Sequence, residues 1–220
     1  MFILLLTAVI SYLIGSIPTA LLLSKYYRNI DIRKIGSGNI GASNAGNILG
    51  KKGFAVVSFF DGIVKGTFPI LTLNLLEFDL TIQVFASICV VMGHNWSIFI
   101  KLKGGRGLST SMGTFLAFWL VPQMITIIII AFLWGWYIRK NIAPWIMLSF
   151  VTAPIIAIVS GMQVELQIHT FTILMLIVIK RLLANNESLP RYQSIIKTFL
   201  FRLILDRDIS DHDQWITKKK

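Results

Sequence analysis

Seven apolar runs divide this chain, at 2–24, 54–76, 80–100, 108–122, 123–138, 142–162 and 166–179. A helix needs about 20 consecutive apolar residues to cross a bilayer. Four of the runs meet that length; the fourth, fifth and seventh are short, and the fourth and fifth divide at Pro122-Gln123. With 55% hydrophobic and 14% charged residues the chain lies outside the usual balance of soluble domains. The expected fold is an all-α membrane protein of about seven transmembrane helices. The first run has no basic leader and no A-x-A-like cleavage site, so it is expected to be a retained span rather than a signal peptide. Residues 1–183 are expected to form one polytopic membrane domain, followed by a cytoplasmic tail, 184–220. Within the tail Ile195, Ile196, Phe199, Leu200, Leu203 and Ile204 recur at helical spacing with Lys197, Arg202 and Asp206 between them. That pattern predicts an amphipathic helix over about 193–205, lying on the cytoplasmic leaflet.

A net charge of +11 invites a nucleic-acid reading, but its distribution excludes one. Threading seven spans puts Lys25–Lys52, Lys101–Arg106, Arg139-Lys140 and Lys180–Lys220 on one side. The other side receives Glu77, Asp79, Glu165 and His169 and no lysine or arginine. The charge is therefore topogenic. It predicts an outside N-terminus and a cytoplasmic C-terminus. The single cysteine, Cys89, sits in an apolar run and rules out a disulfide framework or a cysteine metal cluster.

Two connections carry more chemistry than a membrane loop needs. The first runs Asp31-Ile-Arg33-Lys34-Ile-Gly36-Ser37-Gly38-Asn39-Ile-Gly41-Ala-Ser43-Asn44. Its glycines permit a nest of backbone N–H groups suited to phosphate. Ser37, Asn39, Ser43 and Asn44 add neutral donors. The second, Gly93–Gly107, holds His94, Asn95, Lys101, Lys103, Gly104, Gly105 and Arg106, and leads into Ser109, Thr110 and Ser111. A histidine can serve as a general base or as a donor to an oxyanion. Cations around a glycine pair, ahead of a helix start, suit an anion. Between the two, Asp61 and Lys65 stand four apart on one face of a span, where an ion pair marks a functional site or a lock between helices.

Other chemistries lack their residues. No H-x-x-x-x-D follows any of the three histidines, Asp61-Gly62 lacks the later aspartates of a two-metal phosphatidyltransferase, and neither H-E-x-x-H nor G-x-S-x-G occurs. No metal and no cofactor is expected, and nothing identifies a protein partner. What remains suits transfer to or from a phosphate-bearing substrate by positioning and electrostatics.

The blocks resemble the signatures of the PlsY family, membrane acyltransferases that use an acyl phosphate donor and glycerol 3-phosphate. The resemblance runs over roughly residues 10–115, through Gly15-Ser16-Ile17-Pro18-Thr19, Asp31-Ile32-Arg33, Gly36–Asn44, Leu49-Gly50-Lys51-Lys52, Asp61 with Lys65-Gly66, and Gly93–Gly107. It implies a multi-pass protein of a bacterial cell membrane, with a cytoplasm-facing site that makes lysophosphatidic acid for phospholipid synthesis and membrane lipids around it. The implied catalytic residues are His94, Ser37, Lys103 and Arg106. Gly36, Gly38, Asn39, Ser43, Asn44, Asp61, Lys65, Asn95, Gly104 and Gly105 would bind substrate. There are departures. The family's G-G-K-G reads Gly104-Gly105-Arg106-Gly107 here, and an arginine of the family is Asn47. A serine-bearing motif becomes Asn141-Ile-Ala-Pro144-Trp145, and H-R-E-N-I becomes Met175–Ile179. The alternatives these leave open are an altered acceptor or donor, or a non-catalytic paralogue that binds anionic lipid phosphates.

Overall fold

A computed structural model describes residues 1–133, 142–186, 189 and 193–211. Arg139, Lys140, Asn141 and the tail beyond Asp211 fall outside these. The described residues are helical, without strands. Five segments are long and apolar enough to cross a membrane: Phe2–Arg28, Ala42–Leu75, Leu80–Ile100, Ile142–Val159 and Val164–Leu183; a shorter apolar helix spans Val121–Leu133. The protein is an all-α membrane protein. It forms two compact units, Met1–Phe118 and a second that starts at Trp119.

In the first unit the leading apolar segment is two helices rather than one. Helix α1 (Phe2–Ser16) stops at Ile17-Pro18, and α2 (Thr19–Arg28) starts again. Proline has no N–H to donate and drives its predecessor out of the helical region, here to φ −57°, ψ 118° at Ile17. The second segment begins earlier than the apolar pattern suggests. Helix α3 (Ala42–Phe59) has a kink at Gly50, φ +74°, a left-handed value suited to glycine. It continues through a π-helical stretch, Phe60–Thr67, into α4 (Phe68–Leu75). Helix α5 (Leu80–Asn95) leads to the second glycine loop, and α6 (Leu108–Ala117) follows it. With ten residues α6 is shorter than the expected 108–122 run, because the chain turns at Phe118–Leu120.

Lipid is already as apolar as leucine, so close backbone approach decides how such helices pack. Alpha-1 lies on α5 where Gly15 meets the Val90 carbonyl and Gly93 meets the Tyr12 carbonyl. The π-helical stretch lies on α6 in the same way, through Gly62, Gly66 and Gly113. Large apolar side chains such as Leu22, Phe68 and Leu75 point outward, while Ser16, Ser24, Asp61, Lys65, Ser87 and Asn95 are buried. That inversion is what a lipid-facing exterior requires.

In the second unit α7 (Val121–Ile129) packs on α8 (Ile142–Val159), and α8 on α9 (Val164–Leu183). His169 lies near the start of α9 and is fully buried. Helix α10 (Ile195–Leu205) packs against α8 and α9.

A methyl group at Gly93 would land on the Tyr12 carbonyl oxygen, which is backbone and cannot rotate aside. Gly93→Ala is expected to lower stability in detergent by about 1–3 kcal/mol, the usual range for overpacking. Denaturant titration against wild type measures it, and an unchanged midpoint would contradict the packing described.

Candidate active site

The proline break supplies the first parts of the site. With no helical partner for it, the Ile17 carbonyl accepts a hydrogen bond from Lys65 Nζ at 2.5 Å. The same ammonium donates to Asp61 Oδ1 at 2.5 Å. Asp61 Oδ1 also accepts from Thr19 Oγ1 at 3.0 Å, and His94 Nδ1 lies 3.9 Å away. The Ser97 hydroxyl donates to the Ser16 carbonyl. Asp61 is 2% exposed, Lys65 3% and His94 7%, so a buried polar knot ties the π-helical stretch and α5 to the broken segment. A small cleft above it is lined by Ser16, Thr19, Asp61, Lys65, His94 and Ser97, with Ile40, Gly104 and Gly105 closing it.

The second glycine loop is folded back over α5. Gly104 N donates to the Asn95 carbonyl and Gly105 N to the His94 carbonyl, at 3.1 and 3.0 Å. A Cβ at Gly104 would strike the His94 carbonyl oxygen, and one at Gly105 would strike His94 Nε2. The glycine pair is thus demanded by the approach of backbone to the histidine, which lies between Asp61 and Gly105. Gly105 also comes against the Ile40 carbonyl, so the two glycine loops meet at this point.

The first loop is organised by Asn44. Its Nδ2 donates to the carbonyls of Ile32, Ile35 and Asn39 at 3.2, 3.0 and 3.1 Å, and its Oδ1 accepts from Ser37 N at 3.2 Å. Gly38 N donates to the Ile35 carbonyl and Asn39 N to Ser37 Oγ. This corrects the nest expectation for three groups: Ser37 N, Gly38 N and Asn39 N already donate to Asn44 Oδ1, the Ile35 carbonyl and Ser37 Oγ, so they serve the loop's own closure. Arg33 is likewise committed to Asp31, through Nε at 2.9 Å and Nη2 at 2.6 Å. That hydrogen-bonded guanidinium holds the Asp31 carboxyl down to about 2, so the pair stays ionised at neutral pH.

Among the expected site residues, the cleft gathers His94, Asp61, Lys65, Gly104 and Gly105. Ser37, Lys103 and Arg106 do not line it: Lys103 is exposed, and Ser37 and Arg106 are half-buried. Gly36, Gly38 and Asn39 are half-buried on the first loop, Ser43 is exposed, and Asn44 is buried beneath it. Asn95 is fully buried against Gly107. Thr110 and Ser111, expected near an anion at a helix start, are fully buried in α6. Sequence reasoning passed over Ser16, Thr19 and Ser97 as site residues. Their signal was a proline inside an apolar run with hydroxyl residues on both sides, since a helix break in lipid frees backbone groups that must find partners. The Ser16 hydroxyl lines the cleft, fully buried, and makes no hydrogen bond among the described residues.

A buried ion pair under two glycine-rich, basic loops in a helical membrane protein suits an anionic substrate. A family model described as glycerol-3-phosphate acyltransferase matches residues 5–191. "Glycerol-3-phosphate acyltransferase 4" of Dehalococcoides mccartyi is 35% identical over 213 residues, 94% of this chain and 90% of that one. The "Glycerol-3-phosphate acyltransferase" of Macrococcus caseolyticus is 33% identical, across 84% of this chain and 94% of its own. A crystal structure of PlsY, an integral membrane glycerol 3-phosphate acyltransferase, in its glycerol 3-phosphate form superimposes with a TM-score of 0.71 at 27% identity. It covers 84% of this chain and 94% of that one. The lysophosphatidic acid form gives the same score at 26% identity, covering 90% of this chain and 98% of that one. The chain belongs to the glycerol-3-phosphate acyltransferase family and is an acyltransferase.

Removing one partner of a buried ion pair strands the other charge, at a cost of about 3–5 kcal/mol. Lys65→Met is expected to lose stability on that scale, and Lys65→Met with Asp61→Asn to lose less than the single change. Unfolding of wild type, Lys65→Met, Asp61→Asn and the double variant in one detergent measures the coupling; additive losses would contradict it.

Proposed function

We propose that this protein transfers an acyl group from acyl phosphate to glycerol 3-phosphate at the cytoplasmic face of the cell membrane. Seven spans with the N-terminus outside are part of the proposal. The observation that carries it is the meeting of the two glycine loops over the polar cleft, where Gly105 touches both Ile40 and His94. The glycerol 3-phosphate and lysophosphatidic acid forms of the PlsY structures support the acceptor and product.

In this reading Lys103 and Arg106 neutralise phosphate at the mouth of the site. Ser37, Asn39 and Ser43 orient it, on a loop shaped by Gly36, Gly38 and Asn44. His94 is held by Asp61 against Gly105, with Asn95 beneath, and stabilises the carbonyl oxygen as it becomes negative. The glycerol hydroxyl attacks the acyl carbonyl, an ester C–O bond forms, and the bond from the carbonyl carbon to the phosphate oxygen breaks. Phosphate leaves with that electron pair and carries away the hydroxyl proton. The donor is already activated, so no acyl-enzyme and no metal is required. Catalysis rests on position and charge.

Purified protein given acyl phosphate and glycerol 3-phosphate is expected to release phosphate and lysophosphatidic acid in equal amounts. Arg106→Gln removes a charge-assisted contact, of order 1.5–3 kcal/mol, and is expected to reduce kcat/KM about ten- to hundredfold. Product from other phosphorylated alcohols but not from glycerol 3-phosphate would indicate an altered acceptor. Binding of acyl phosphate without turnover would indicate a non-catalytic paralogue.

A further inference from the structure

Helix α10 lies beyond the stretch matched by the family model, and its amphipathic character is turned inside out. Its fully buried residues are polar, Thr198 and Arg202. Ile195, Ile196, Phe199, Leu200 and Ile204 are on the outside, from 40% to 73% exposed. A helix that met water on this side would present the reverse arrangement.

The inward face is held by reciprocal arginine caps. Arg202 of α10 donates through Nη1 to the Leu182 carbonyl at the end of α9, at 3.1 Å. Arg181 of α9 donates through Nη1 to the Leu203 carbonyl at the end of α10, at 2.8 Å. Its Nη2 reaches the Ala143 carbonyl near the start of α8, at 3.0 Å. Helix C-termini leave carbonyls unpaired and carry partial negative charge, so each guanidinium satisfies the other helix's end. Asp208 holds Arg202 Nε at 2.6 Å, and Gln193 bridges the Thr198 hydroxyl and the Asp208 carbonyl. Helix α10 is therefore fastened to the end of a membrane span, and its level follows from that attachment. There α9 has Ile179 and Leu183 on its outer surface, both 44% exposed.

We propose that α10 is a membrane-interface anchor, whose outward apolar face is immersed in the bilayer at the end of α9 while the arginine caps fix its orientation. The partner is lipid, because the outward row continues the lipid-facing surface of the span it is fastened to. Charge contributes little. Between residues 193 and 211 three cations (Lys197, Arg202, Arg207) offset three anions (Asp206, Asp208, Asp211). Attachment should therefore not depend on anionic lipid.

The test is spin labelling of full-length protein in lipid nanodiscs. In a Cys89→Ser background, one cysteine each is placed at Ile196, Leu200 and Lys197. At Ile196 and Leu200 the label should collide more with membrane-soluble oxygen than with a water-soluble nickel chelate, equally in neutral and anionic bilayers. At Lys197 the preference should shift toward the chelate. Adding Arg202→Met should raise label mobility at Leu200. Labels at Ile196 and Leu200 that collide mainly with the chelate would overturn the proposal. So would labels shielded from both reagents, which would mean a protein covers the face.

Discussion

An ammonium and a carboxylate in the interior of a membrane protein persist only if every strong donor and acceptor finds a partner, and the rest of the site follows from how Asp61 and Lys65 meet that condition. The Ile17 carbonyl, released by Pro18, takes one donor of Lys65, while Thr19 supplies another donor to Asp61. The π-helical stretch turns both side chains toward the break rather than toward lipid. Asp61 then faces His94, and His94 sets how closely Gly104 and Gly105 must approach. The position of the basic loop is thus traceable, contact by contact, to a proline in the first apolar segment.

Much of this was legible in the sequence. Five of the seven apolar runs coincide with segments long enough to cross a membrane, the four-residue spacing of Asp61 and Lys65 announced a pair, and the repeat over 195–204 marked α10 as a helix. What escaped has a common physical cause. Hydropathy registers transfer into lipid but not where freed backbone groups find partners, so the break at Pro18 was hidden inside an apolar run. Glycine spacing permits a nest but does not reveal whether the loop's own groups fill it, as Asn44 Oδ1, the Ile35 carbonyl and Ser37 Oγ do here. The burial of α10's polar face depends on Arg181, fourteen residues before the helix begins. No local pattern could contain that information.

The division of labour within the site also follows. Asp61, Lys65, Asn44 and the glycine pair are engaged with the protein itself and hold two loops in register. Lys103 is exposed and Arg106 half-buried, and the proposed function gives these two the incoming phosphate. Arginine keeps the charge of the family's lysine but replaces a compact ammonium with a planar fork. The Met175–Ile179 segment, where the family pattern has polar residues, carries buried Leu176 and Ile177 on α9.

The account holds that acyl transfer proceeds by direct attack at the acyl carbonyl, with phosphate as the leaving group. The most direct test uses acyl phosphate carrying a heavy oxygen isotope at the bridge between carbonyl and phosphorus. After turnover with glycerol 3-phosphate, phosphorus NMR and mass spectrometry locate the label. The account requires all of it in the released phosphate and none in the lipid. Label in the acyl product, which would mean cleavage at phosphorus, would contradict it.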